Sequence, residues 1–180
     1  TASLFMQTNA AGTVSEFNPQ PSSGTGSISI QAGLVDIGTL VLQSISSASI
    51  AATGGDVRGN GILSMAGDMT MVANRVYPTT AANFDIFVYD NTKTGARGAL
   101  KILGSSSTTS TPLSAGGSMR IMASSITLGG KIFAPLGQID IGWDGLTAKP
   151  TNSVIGSGTD ANQTPITSRL ELSPGSLISV

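Results

Sequence analysis

Histidine and cysteine are both absent from the 180 residues, and tryptophan occurs once. A Ser-His-Asp or Cys-His nucleophile, a His-ligated metal site and a disulfide are therefore all excluded within this chain. Any catalysis would rest on carboxylates, lysine or arginine, and no cofactor or metal is expected. Charge is scarce as well: 11% of residues are charged, the formal net charge is −1, and aromatics make up 4%. The lysines and arginines scatter from Arg58 to Arg169 without a cluster, which argues against nucleic acid or an anionic membrane as partner. A membrane span is not expected either, because Asp36 and Gly38 break the most apolar stretch, residues 34–42, well short of the roughly 20 residues a spanning helix needs. Lack of cysteine suits a chain that crosses an outer membrane unfolded.

What the chain does have is glycine, serine, threonine and well-spaced aliphatics. Apolar residues reach 39% and glycines number 23. The Ile, Leu, Val and Met side chains stand singly rather than in blocks, and they must be buried somewhere. Eight short segments share one pattern, a small residue followed by apolar side chains two and four positions later. They start at Gly26, Gly38, Gly67, Ala82, Gly98, Gly117, Gly137 and Ser168. Alternation of this kind puts Ile28 and Ile30, or Leu170 and Leu172, on one side of a half-buried strand. The starts lie on average about 20 residues apart, the length of one solenoid turn. No segment keeps a helical period, so little or no helix is expected.

The cleanest turn runs from Gly117 to Leu136 and divides into three strand pieces. Met119 and Ile121 point inward on the first, Ile126 and Leu128 on the second, and Ile132 and Ala134 on the third. Ser124-Ser125, Gly129-Gly130 and Pro135-Leu136-Gly137 fall between them, where turn chemistry is needed. The expected fold is all-β, a right-handed parallel β-helix of about seven to eight coils stacked about 4.8 Å apart. Equating the Gly98, Gly117 and Gly137 segments predicts that Leu100, Met119 and Ile139 stack inside. Lys101, Arg120 and Asp140 would then stack outside.

Residues 143–165, rich in Gly, Ser, Thr, Asn and Pro, read as a loop inserted into a coil, and 91–97 as a shorter turn-rich loop. Residues 1–25 are less regular, with one strand candidate at 3–7. The chain opens on Thr1 and closes on a strand-like pattern, so residues 1–180 are expected to form one β-helix segment of a longer protein. The strand edges at its ends would favour end-to-end self-association.

The repeat resembles the filamentous haemagglutinin-like exoproteins of bacterial two-partner secretion. The likeness is best in VYPTTAANFDIFV from Val76 and in PLSAGGSMRIMASSITLGGKIFAPLGQIDIG from Pro112. It covers residues 26–180 and includes an APLG-type corner at Ala134. The resemblance implies a rod exported through an outer-membrane secretion partner and displayed, secreted or on the bacterial surface, as an adhesin or a toxin-delivery stalk. Its partners would be a host-cell or bacterial surface glycan or protein. The family's secretion domain carries NPNG- and NPNL-like motifs; here only Asn18-Pro19 is partly similar, which points to rod rather than secretion domain.

Against this non-enzymatic reading stands a β-helix polysaccharide hydrolase or lyase, which would need two or more carboxylates gathered in one groove. Asp68, Asp85, Asp140 and Glu171 occupy outward strand positions and are the candidates; a solvated face is the commoner use of such a set. GGDVRGNG from Gly54 has a faint likeness to a calcium-binding repeat but occurs once, so a turn is the better reading. Trp143, beside Asp144 at the start of the presumed insertion, is the candidate ligand-binding pair: an exposed indole could stack on a sugar. A single Trp more often covers the edge of a core. Asn162-Gln163-Thr164 matches a glycosylation sequon, which arises readily by chance in so Ser/Thr-rich a chain.

Overall fold

The computed structural model describes residues 6–8, 14–16, 21–105, 110–150 and 164–180. Strands β1 (Met6–Thr8) and β2 (Val14–Glu16) pair antiparallel with each other. From there the chain winds. The first coil is β3 (Ser22–Ala32), β4 (Val35–Ile37) and β5 (Leu40–Val41), and the second is β6 (Gln43–Ala52), β7 (Val57–Gly59) and β8 (Gly61–Ala66). The third is β9 (Asp68–Ala73), β10 (Val76–Pro78) and β11 (Asn83–Tyr89), and the fourth includes β12 (Ala99–Gly104) and β13 (Ser118–Ala123). The fifth is β14 (Ser125–Gly129), β15 (Lys131–Phe133) and β16 (Gln138–Ile141), and β17 (Arg169–Leu172) and β18 (Leu177–Ser179) begin a sixth.

From β3 onward the strands pair in parallel from coil to coil, which produces three sheets. The first has the order β17-β14-β12-β9-β6-β3, the second β16-β13-β11-β8-β5 and the third β18-β15-β10-β7-β4. No helix occurs among the described residues. This is a parallel β-helix, and the three-sided coil read from residues 117–136 is present as β13, β14 and β15. Met119, Ile121, Ile126, Leu128, Ile132 and Ala134 are all at most 1% exposed.

The inner faces of the three sheets enclose one apolar column. In the first sheet Ile30, Ile50, Met71, Ile102, Leu128 and Leu172 follow one another in register. In the second, Leu40, Leu63, Ile86, Ile121 and Ile141 do the same. Burial at roughly 25 cal/mol per Å² of apolar surface makes this column the main stabilising term. Where the hollow is crowded, glycine makes room: a Cβ on Gly59 would overlap the Phe84 ring.

The expected register between coils needs correction. Leu100 lies in the first sheet against Met69 and Ile126, whereas Met119 and Ile139 face each other in the second. Lys101 accordingly neighbours Thr70 and Thr127, while Arg120 and Asp140 do pair. The glycine-led segments belong to two different sheets, because strands of both begin at a corner where a small residue is favoured. The motif therefore recurs more often than the coil, and among the described residues five coils and the start of a sixth replace the expected seven to eight.

Two excursions interrupt the winding. In the fourth coil the chain leaves after Gly104 and rejoins at Ser118, with no third-sheet strand among the described residues, and β10 bridges to β15 through Val76 and Ile132. The other lies between β16 and β17. Its neck is closed by Thr167, whose N–H donates to the Trp143 carbonyl at 2.8 Å while its hydroxyl accepts the Trp143 N–H at 3.1 Å. Most of the 143–165 insertion and the sequon at Asn162 lie outside the described residues. The 91–97 loop is a tight turn: Asn91 Oδ1 accepts the N–H groups of Lys93 and Thr94, both at 3.1 Å. GGDVRGNG splits between a turn at Gly54 and strand β7. The irregular start contains a strand at Met6–Thr8, overlapping the candidate at its end.

Candidate ligand groove

The outer face of the second sheet is the unusual surface of this rod. Its outward column at one level is Ile62, Asp85, Arg120 and Asp140, in direct register. At the next level Phe87 lies between Ser64 and Met122. Phe87 is 0% exposed, and it stacks on Tyr89 with centroids 5.9 Å apart. Ala66, Phe87, Tyr89 and Met122 form a second apolar cluster, separate from the inner column, and Trp143 packs against it.

Asp85, expected on a solvated face, is buried. The alternation does place it outward, but this outward face is covered. Burial pushes its carboxyl above the ordinary value; Arg120, at 3.9 Å, opposes that shift and Asp140 adds to it. Asp140 accepts the Gln138 amide at 2.8 and 3.0 Å. Two strand spacings separate Asp85 from Asp140, roughly 10 Å.

Of the four outward carboxylates, these two share the second sheet and one register column. Asp68 and Glu171 are in the first sheet, where Glu171 pairs with Arg169 at 2.6 Å. Among the described residues no three His, Cys, Asp or Glu come together as a metal site.

Beside the column runs an open groove of about 540 Å³, with strands β13 and β16 as floor and the 142–150 segment as wall. Arg120, Asp140, Trp143, Thr147 and Lys149 line it. Asp85 does not, so one carboxylate faces the groove. Trp143 is half-buried, with its indole N–H donating to the Thr147 carbonyl at 3.2 Å. The same ring borders a second open groove of about 400 Å³ with Asp144 and Leu170.

Asp144 is exposed and shapes the turn. Its carboxylate accepts the Leu146 N–H at 2.9 Å, which together with the Thr147 N–H holds its pKa below the usual carboxylate range. The structure therefore places Trp143 at a core edge and a groove wall at once, and puts Asp144 on the far side of it. Sequence reasoning named Asp140 among the candidate groove carboxylates but missed Arg120 and Lys149. The register of Arg120 with Asp140 was legible, but the fold of 142–150 over them was not.

Another charged network ties down the fourth-coil excursion. Arg75 donates to Asp56 at 2.7 and 3.1 Å and to the Ser110 carbonyl at 2.8 Å, and Tyr77 donates to Asp56 at 3.3 Å. Asp56 and Tyr77 are buried, and desolvation with the adjacent carboxylate pushes the Tyr77 phenol up. This arrangement is structural: its groups are consumed by one another.

No family model, curated protein or solved structure matches this chain.

Proposed function

We propose that the chain is a structural rod segment of an exported bacterial surface protein of the filamentous haemagglutinin type. It does no chemistry itself and displays its corner loops for attachment to cells or matrix. The observation that carries this reading is the parallel ladder, which transmits one register from coil to coil and sets loops out at its corners. Such a ladder extends simply by adding turns. Leu170, Leu172 and Ile178 are 50%, 58% and 40% exposed on the last coil. A further turn of the same winding, or the end of a second copy, would cover them.

Among the described residues a single carboxylate, Asp140, lines the groove, which supports the non-catalytic side of this reading, because glycoside hydrolysis ordinarily uses two carboxylates flanking one bond. The test is to splice residues 21–180 into the rod of a two-partner-secretion passenger and to follow export and attachment. Surface display of the spliced rod and its adherence to cells or matrix are expected; retention in the periplasm would overturn the reading. Release of reducing ends from a polysaccharide panel would overturn its non-catalytic part.

A further inference from the structure

The coils of a solenoid ordinarily contact only their neighbours, so that an end coil can open by itself. At one corner of this rod that rule is broken. The first and third coils are two strand spacings apart, roughly 10 Å. Yet the Asn91 amide, at the end of the third coil, donates to the Gly24 carbonyl of the first at 2.9 Å and to the Ala66 carbonyl of the second at 3.3 Å. Beside it the Thr92 N–H donates to Ser23 Oγ at 2.9 Å, and the hydroxyls of Thr92 and Ser23 meet at 3.1 Å. These partners are 67 and 69 residues apart in the chain.

The reach comes from the start of β3. Ser22 and Gly26 pair with Gln43 and Ile45, so β3 carries extra residues between them and bulges. The bulge lies across the Ser44 corner. Ser44 adopts a left-handed φ of 59°, its N–H donates to Ser22 Oγ at 2.9 Å, and a Cβ on Gly24 would overlap its backbone. Glycine is what lets the two backbones approach so closely. At the other end Asn91 is 1% exposed and used on both sides: Oδ1 closes its own turn through the Lys93 and Thr94 N–H groups, while Nδ2 serves the other coils. The preceding Asp90 carries the line onward, accepting the Gly98 N–H at 2.7 Å and the Ser124 hydroxyl at 2.6 Å.

We propose that residues 22–26 are a strap and Asn91 its latch, so that the first three coils open together instead of fraying one at a time from β3. A carboxamide suits this position because it supplies an acceptor to its own turn and donors to the strap. The strap closes only when the turn after β11 is in place, which couples the start of the rod to its third coil. This device is independent of the attachment role given above.

Amide hydrogen exchange on the intact chain, read strand by strand, tests it. In the parent, β3, β6 and β9 should share one level of protection. Asn91→Ser keeps a side-chain acceptor for the turn and removes the amide. It should speed exchange in β3 by about ten-fold, the scale of a buried carbonyl left without its donor, with β12 and β14 unchanged. Ser23→Ala, which removes only the Thr92 contact, should act on the same strand more weakly, and it serves as the test if Asn91→Ser does not fold. The chain has no cysteine, so Ser23→Cys with Thr92→Cys offers a single disulfide across the latch. Oxidised in the Asn91→Ser background, that pair should return β3 to slow exchange.

The proposal is overturned if β3 of the parent exchanges faster than β6, as a free end coil would. It is equally overturned if Asn91→Ser and Ser23→Ala leave β3 unchanged, or if they speed all six strands of the first sheet alike, which would make Asn91 a contributor to global stability only.

Discussion

Ile86 and Phe87 are consecutive residues of β11, one facing the hollow of the rod and the other facing away from it, and both are 0% exposed. Ile86 belongs to a column that every coil renews, between Leu63 and Ile121. Phe87 belongs to a patch that occurs once among the described residues, built from side chains of three adjacent strands together with Trp143. The inner column shows how a repeat stabilises a solenoid: each coil adds the same kind of contact. The outer patch shows the opposite strategy, in which one stretch of one face becomes a local core and thereby holds a groove wall in place.

That contrast can be broken most directly at Phe87. If the outer patch is a true core, Phe87→Ala should lower unfolding free energy by about 3–5 kcal/mol in urea titrations. A loss under about 1 kcal/mol would reduce the patch to a surface decoration. Ile86→Ala should cost about 2–5 kcal/mol, without altering Trp143 emission, whereas Phe87→Ala should shift that emission because the indole packs on the same cluster. Equal emission changes in both variants would mean that the two cores are one.

How much of this was legible follows from the same two residues. The hollow column could be read because alternation is a property of the strand itself, and β13 to β15 followed the expected corners. Which coils meet could not be read. GALKI and GSMRI carry one pattern in two sheets, since a small residue at a corner followed by alternating aliphatics suits either face. The longer interval between β12 and β13 in the fourth coil removed the even spacing that would have exposed the error.

Burial of the outer face did leave a trace. Phe84 to Tyr89 reads F-D-I-F-V-Y, a nearly continuous apolar run of the sort found in strands covered on both sides. Asp85 in the middle of that run masked it. The groove had no comparable signal, because the path of residues 142–150 back over Arg120 is a matter of tertiary packing and not of local pattern.

The third sheet extends the comparison. Arg75 anchors the described part of the fourth-coil excursion at Ser110, with side-chain exposures of 19% for Arg75 and 10% for Asp56. Arg75→Met should cost about 2–3 kcal/mol, because it leaves a mostly buried carboxylate and the Tyr77 hydroxyl without their cation. It should also speed amide exchange at Ala81 and Gly116, whose N–H groups bond to Ala115 and Pro135. Unchanged exchange there would mean that the excursion is held by its backbone bonds alone.

Asp85 sharpens the contrast through pH. Its folded-state pKa is raised, chiefly by burial, so the folded chain binds this proton more tightly than the unfolded chain does. The associated stability is fully present below the ordinary carboxylate pKa and is lost as pH rises through the higher folded value. Asp85→Asn should remove that decline. At neutral pH the variant should melt at or above the parent, by roughly 2–4 °C for each kcal/mol recovered, and the gap should close toward pH 4. A variant that is less stable at pH 7 than at pH 4, relative to the parent, would show that the Arg120 pair outweighs desolvation.

The smallest effect belongs to a pair whose closest contact matches that of Arg75 with Asp56, 2.7 Å in each. Arg58 donates to Asp36 through Nε and Nη2 at 3.0 and 2.7 Å, yet the side chains are 39% and 52% exposed. Asp36 raises the Arg58 pKa first through this hydrogen bond, but solvent screens an interaction so open, and such pairs contribute about 0–1 kcal/mol. Arg58→Gln should therefore lower the melting temperature by no more than roughly 2–4 °C, and the difference should fade in 1 M salt, where the Debye length is about 3 Å. The Arg75→Met loss should survive the same salt, because a desolvated carboxylate left alone is not rescued by distant counterions. If both variants respond to salt alike, burial is not what separates the two ion pairs, and the distinction drawn between covered and open faces of this rod fails.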